Sequence, residues 1–392
     1  MGHFSDLAIS MNEGPQLTER DTYVCEECVA DDALQALVRE SLASNVCSYC
    51  GDENEDGKVL AAPFDVIMLR IYESVSKYYA DAQDTDMPWV EKGWLVGQTY
   101  IGDVLAEFDP GWDASFSEDI LNSFDPSVYW VEHVDGDWSI ENPRSTLSYG
   151  WTSFKDQVLN KTRYLFLGEP EDEHSSGRPD YIPVAAMLDA LGSVCESEGL
   201  LSVIPAGSEF YRVRHAKKYE NFSSFSEVGV PPQGVAKAGR MNPAGISYFY
   251  LGYDRKTAEK EVLEWSKHWF VSIFVSKDDI AVIDFSYLPE VPSVFEPELY
   301  ENLHNRSFLT QFTSDLVAPV SKDGMEHVDY VPTQIVSEFF RHRFKTSSGS
   351  NVLGLKYPSV KNDGGLNLAV FSSSNEELES LFELQEITEF RK

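Results

Sequence analysis

No stretch of about 18 consecutive apolar residues occurs in the chain, so no membrane-spanning helix is expected. The start, Met1-Gly2-His3-Phe4-Ser5-Asp6, has neither a basic region nor an apolar core, so it does not read as a secretory signal, and a cytoplasmic protein is expected. Basic residues are scarce. Lys and Arg number 31 against 65 Asp and Glu, a formal net charge of −34. That balance argues against a surface that tracks phosphate backbones, and hence against a nucleic-acid partner, but it leaves room for a small basic pocket holding one nucleotide. The acidic residues are scattered, not gathered in a tail, and read as a solvated surface. Cysteine is also sparse, with five residues in 392, too few for a disulfide framework in a chain of this compartment. Apolar and aromatic residues are well represented, at 42% and 13%, which gives a globular chain with cores for two or three domains.

Four of the five cysteines are paired. Cys25-x-x-Cys28 and Cys47-x-x-Cys50 each present two sulfurs from a tight turn, and two such knuckles can complete a tetrahedron around zinc. Four thiolates leave no open coordination position, so the expected ion is structural. Gly51 supplies the permissive backbone that the second turn wants. Cys195 reads as a small buried apolar residue of a helix near Val184 to Glu196. Helical spacing predicts a short helix over Ala33 to Ser44 and a longer one in which Phe64, Ile67, Met68, Ile71, Val75 and Tyr79 share a face. Shorter helices are expected near Ile101 to Phe108, Phe116 to Ser123 and Thr152 to Leu159. His133 reads as a surface residue. Residues 1–168 are expected to be a mostly helical domain, 169–183 a charged, breaker-rich linker, and 184–392 a second domain.

The second half is organised around Gly239-Arg-Met-Asn-Pro-Ala-Gly245, followed by a strand over Ile246 to Leu251 and a helix from Asp254 to Trp265. Ala258, Glu261, Val262 and Trp265 fall on one helical face. Glu261 is the anomaly, because its neighbours on the stripe are apolar and no basic residue stands four positions away. Either it snorkels to water, or it is held inward for a purpose. Glu209 to Arg214 reads as a strand in which Arg212 is either an edge residue or a buried anion clamp. Phe270 to Val275 and Ile280 to Phe285 are further strands, and a helix opens at Tyr330 with Pro332 in its first turn. Val352 to Tyr357 and Leu366 to Phe371 form a hairpin around a glycine-rich turn that starts near Ser359, which as a lone serine reads as a turn residue. A short helix or tail closes the chain.

Several ordered segments resemble the RES domain, named for an arginine, a glutamate and a serine. They are Phe210-Tyr-Arg-Val-Arg214, Gly239-Arg-Met-Asn-Pro-Ala-Gly245, Tyr250-Leu-Gly252, Thr257-Ala-Glu-Lys-Glu-Val262, Tyr330-Val-Pro-Thr-Gln334 and Tyr357-Pro-Ser359, the last followed by Gly-Gly and Asn367-Leu-Ala-Val-Phe371. The resemblance spans roughly residues 205–375. The first half resembles a HEPN-related domain found ahead of RES domains, through the paired knuckles and Tyr149-Gly-Trp-x-x-Phe154 with Thr162-Arg163. Residues 1–168 lack the Arg-x4–6-His motif of HEPN ribonucleases, so ribonuclease activity is not implied.

What the resemblance implies is specific. The expected class is α+β, with an ADP-ribosyltransferase-like α/β RES domain behind the helical one. The expected activity is cleavage of the nicotinamide–ribose bond of NAD, by hydrolysis or phosphorolysis, in a toxin or defence effector. The family arginine falls on Arg212, the glutamate on Glu261 and the serine on Ser359, and these would be catalytic. Tyr250, Arg240 and Tyr211 would contact the dinucleotide. An oxocarbenium-like ribose calls for a carboxylate, a pyrophosphate for a guanidinium fork, and a nicotinamide ring for an aromatic face. Competing readings are an ADP-ribosyltransferase acting on a macromolecule and a non-catalytic zinc-knuckle interaction protein. An antitoxin or trigger protein engaging the front domain is implied, no membrane partner is, and self-association stays open.

Overall fold

The computed structural model describes residues 21–91, 93–95, 99–168, 178, 180–217, 219–232, 234–263, 267–319 and 326–391. The amino-terminal hexapeptide, most of the expected linker and Trp265 lie outside the described residues. The protein is α+β. Its described residues form two compact units, those within Met1–Pro143 together with Val291–His304, and those within Arg144–Glu290 together with Asn305–Lys392. No described helix is long and apolar enough to cross a membrane.

The first unit is mostly helical. Strand Tyr23–Cys25 pairs antiparallel with Ala61–Pro63, and the chain turns directly into helix Phe64–Tyr78. The spacing of Phe64, Ile67, Met68, Ile71 and Val75 puts them on one face, and all are buried. The helix expected over Ala33 to Ser44 spans Asp32–Glu40, started by Asp31, whose carboxylate accepts from the backbone of Ala33 and Leu34. Helices Ile101–Phe108 and Ala114–Leu121 contribute Val104, Phe116 and Ile120 to the same core. Phe295, returning in the later segment, packs on Phe108 and Trp112 at ring separations of 6.2 and 5.9 Å. His133, expected on the surface, is half-buried. Its Nδ1 accepts from Gly136 N and its Nε2 lies 3.3 Å from Ser76 O, so the ring fixes a turn.

The second unit is built on one sheet. Its strands are β1 Leu201–Ile204, β2 Glu209–His215, β3 Phe249–Gly252, β4 His268–Ser276, β5 Ile280–Asp284, β6 Gly354–Pro358, β7 Leu366–Val370 and β8 Phe382–Arg391, in the order β8-β4-β2-β3-β7-β6-β5-β1. Only β5 and β6 pair in parallel. Helices Pro143–Asp156 and Met187–Ser197 bring Trp151, Phe154, Met187 and Leu191 into a core that also takes Phe312 and Phe340. Trp151 and Phe154, which precede the expected linker in sequence, therefore pack within this second unit.

Two departures from the sequence pattern have local causes. The strand expected from Ile246 starts at Phe249, because Asn242 Nδ2 donates to the carbonyls of Lys237, Pro243 and Ile246 and ties those residues into a loop. The expected closing helix or tail is helix Asn375–Leu381 followed by the ten-residue edge strand β8. Opposite β8, Ile273 pairs with Glu386 and Phe274 with Leu384, so Gln385 is an extra residue in a bulge.

One seam of the sheet is barely made. β2 pairs with β4 along its length, and β3 pairs with β7 through all four residues, but β2 and β3 meet only at Tyr211 and Gly252. Helix α1, Arg255–Val262, sits against this seam with Ala258 and Val262 near Tyr211 and Val213. Asp254 caps it, accepting from Thr257 N at 2.8 Å. Gly252 permits the approach, since a Cβ there would lie 2.9 Å from the backbone nitrogen of Ala258.

Candidate functional site

A cavity of about 860 Å³ opens where β2 and β3 part. Tyr211, Arg212, Arg240, Tyr250 and Glu261 all border it, and strands, loop and helix separated in sequence bring them together. Ser359 is joined to this group through Glu261. Its Oγ donates to Glu261 Oε1 at 2.6 Å, and Asn367 Nδ2 donates to the same oxygen at 2.8 Å. Glu261 Oε2 takes no hydrogen bond from a described residue. The glutamate that looked anomalous on an apolar stripe is thus held by its partners on one oxygen, with the other left available.

Ser359 is fully committed. Its hydroxyl accepts from the backbone of Lys361 and Asn362 at 3.2 and 3.1 Å and spends its single proton on Glu261. It is buried, and it is a turn residue as its sequence position suggests, with the turn aiming its hydroxyl at Glu261. Asn367, on β7, and Tyr357, on β6, also border the cavity and were not singled out from sequence. Asn367 stood in an apolar strand as an isolated polar residue, which was the available signal. Tyr357 is 7% exposed and its hydroxyl has no described partner. Burial raises its pKa and the Glu261 charge adds to this, so it is a proton-bearing donor.

Arg212 is neither an edge residue nor an empty clamp. Its Nε donates to Val228 O at 2.9 Å, Nη1 to Tyr250 O at 2.8 Å and Nη2 to Gly229 O at 3.2 Å. The guanidinium lies 4.9 Å from the centre of the Phe249 ring. Burial, with Arg214 adding to it, lowers its pKa to about 9, so it stays cationic at neutral pH. The bond to Tyr250 O bridges the parted strands.

Tyr250 uses its hydroxyl within the protein, donating to Asn242 Oδ1 at 2.7 Å and accepting from Met241 N at 3.1 Å. Burial pushes its pKa well above the usual phenol value. What it offers the cavity is therefore its ring. Arg240 Nη1 donates to Leu316 O and Ala318 O, both at 2.9 Å, and its guanidinium stands 5.3 Å from the Tyr330 ring centre. The Tyr211 hydroxyl is turned to Glu209, its neighbour on the strand, which raises the phenol pKa.

The four paired cysteines of the first unit meet. Sγ separations are 3.7 Å for Cys25–Cys28, 3.5 Å for Cys25–Cys50 and 3.8 Å for Cys28–Cys47, and all four sulfurs lie within 4.8 Å of one another. A disulfide needs about 2.05 Å. A tetrahedron of sulfurs about 2.3 Å from a central ion has edges of about 3.8 Å, so this set fits a metal ion. Burial raises the Cys25 thiol pKa to about 12 and raises Cys28 further, a cost that a bound cation removes. Gly51 takes φ +73°, as its turn required. Cys195 is buried in the other unit and its thiol pKa is raised by burial, in keeping with an inert role.

Comparison with known proteins finds no match among curated proteins or solved structures. Family models do match. HEPN/RES N-terminal domain 1 covers residues 40–172, and the RES domain covers residues 209–390, which takes in the whole cavity lining. With the cavity, the held glutamate and the sulfur quartet in place, the chain is a RES domain protein with a HEPN/RES N-terminal domain ahead of its RES domain.

Proposed function

We propose that the cavity takes NAD and that the chain cleaves its nicotinamide–ribose bond, as a glycohydrolase or phosphorylase deployed as a toxin or defence effector. The single observation that carries this reading is Glu261, a residue of the cavity lining whose carboxylate is pinned through one oxygen while the other takes no bond from a described residue. The volume lies within the roughly 300–1,000 Å³ of cofactor and ligand sites.

In this reading the C1′–N bond breaks with its electron pair passing to the nicotinamide nitrogen, which neutralises the pyridinium. Positive charge develops on C1′ and the ring oxygen of the ribose. Glu261 Oε2 faces that charge and stabilises it without reorganising. Nicotinamide leaves neutral, so no general acid is needed. Water or phosphate then bonds to C1′, and an attacking water passes its extra proton to solvent. The Tyr250 ring stacks on the flat end of the ligand. Arg240 supplies charge toward the pyrophosphate, while Arg212, spent on three carbonyls, ties the parted strands together and lends its charge at a distance. Tyr211 walls the cavity with its ring. The four thiolates hold a structural zinc, and the first unit, with no open metal position, receives an antitoxin or trigger protein.

Liquid chromatography of NAD incubated with the full chain, with and without phosphate, tests this reading. Nicotinamide with ADP-ribose indicates hydrolysis, nicotinamide with a phosphorylated ADP-ribose indicates phosphorolysis, and ADP-ribose retained on a macromolecule indicates transfer. Intact NAD under both conditions, with and without lysate, sinks the proposal.

Tyr357→Phe probes the ligand side separately. The hydroxyl has no described protein partner, so its loss should leave the melting temperature unchanged. If the hydroxyl meets NAD, Kd for NAD rises by about 2- to 10-fold, the value of one neutral hydrogen bond. A drop in stability with unchanged NAD binding would show that the phenol serves the fold instead.

A further inference from the structure

We infer that Asn367 is a positioning residue for Glu261, and that the turn over residues 359–365 is a latch that fixes the carboxylate in one orientation. The inference rests on the NAD reading for its kinetic consequence and on the geometry alone for its structural one.

Asn367 is 7% exposed and sits on β7 with Tyr357 of β6 on one side and Gly252 of β3 on the other. From there its Nδ2 reaches Glu261 Oε1, the oxygen that already takes the Ser359 proton. A carboxylate oxygen has two lone pairs, and these two donors fill both. The carboxylate therefore cannot turn without breaking two bonds, one to each of two rigid elements. With Ser359 as its lone donor it would pivot about a single contact and exchange its oxygens.

The serine's own position is fixed by stitching between the turn and α1. Asn362 Nδ2 donates to Thr257 Oγ1 at 2.7 Å, and Thr257 Oγ1 donates to Asp254 Oδ2 at 2.5 Å. Lys361 Nζ donates to the backbone carbonyl of Glu261 at 2.8 Å. Gly365 closes the latch, since a Cβ on it would fall 2.3 Å from Thr257 Oγ1. Asn362 and Thr257 are both buried, so these bonds are shielded from water. The helix start, the helix residue before its end, and the hairpin turn thus form one body, and Asn367 supplies the second fixed point from the sheet.

Asn367→Leu preserves volume and removes the donor, and Asn367→Asp preserves shape and sets an acceptor against a carboxylate. For Asn367→Leu, kcat for NAD consumption should fall by about 10- to 100-fold, the value of a hydrogen bond to an ionised group, with KM and melting temperature nearly unchanged. Asn367→Asp should lose more. The crystal structure of either variant should show the Glu261 carboxylate rotated away from its contact with Ser359. A folded variant with wild-type kcat, or with the carboxylate still in place, overturns the proposal. Should Asn367→Leu fail to fold, Asn367→Asp provides both measurements. Wild-type protein that leaves NAD intact while the variants displace Glu261 would remove the NAD reading and keep the positioning role.

Discussion

Glu261→Gln is expected to lower NAD consumption by about a thousandfold while the protein stays folded and binds NAD with similar affinity. The geometry makes this substitution unusually harsh for an isosteric one. Ser359 Oγ and Asn367 Nδ2 both donate to the Oε1 position, so an amide placed there must present its carbonyl oxygen to them. Its NH₂ group then occupies the Oε2 position. An acceptor bearing negative charge is replaced by a donor bearing partial positive charge, at the point where the proposed reaction builds a cation. About 4 kcal/mol of barrier corresponds to that thousandfold loss. Nicotinamide release, followed beside thermal melting and calorimetric NAD binding, checks it. Residual activity within tenfold of wild type, in a folded variant that binds NAD, would remove Glu261 from the chemistry.

Cys50→Ser gives the second large effect and the sharper diagnosis of the sulfur quartet. Cys50 is exposed, and an exposed cysteine without a ligand would tolerate serine at little cost. As the fourth corner of a closed tetrahedron it should cost about as much as the buried Cys28. Structural zinc is worth roughly 10–16 kcal/mol in small zinc-binding peptides, against a total stability of about 5–15 kcal/mol for a typical domain. The expected outcome is about one zinc per wild-type chain by elemental analysis. The variant should lose zinc and should also lose the first unit's thermal transition. Strand Tyr23–Cys25 runs straight into the quartet, so unfolding there exposes the Phe64–Tyr78 helix that its partner strand precedes. Metal-free wild-type protein with an unaltered transition would refute the structural role.

Periodicity was informative where structure is local. The Phe64–Tyr78 helix, the capped α1 helix and the glycine-turn hairpin were all legible, because caps, apolar stripes and turn residues act within a few positions. Glu261 was legible as an anomaly, but its resolution was not, since its donors stand 98 and 106 residues away. Arg212 was ambiguous for a related reason. Its acceptors are backbone carbonyls of Val228, Gly229 and Tyr250, and a carbonyl leaves no mark on the residue type that carries it. β8 was missed because the bulge at Gln385 breaks the two-residue alternation. Leu384 and Ile387 fall three apart, a spacing that suggests helix as much as strand. Tyr357 and Asn367 acquire meaning only when β6, β7 and the helix are seen around one space.

The parted strands carry a consequence for how substitutions at Arg212 should be judged. The guanidinium works there as a bridge, and a bridge is defined by its span. Lysine would carry the same charge on one nitrogen and could not span three carbonyls set at different angles. The join between β2 and β3 beside the cavity therefore depends on a planar shape as much as on a positive sign.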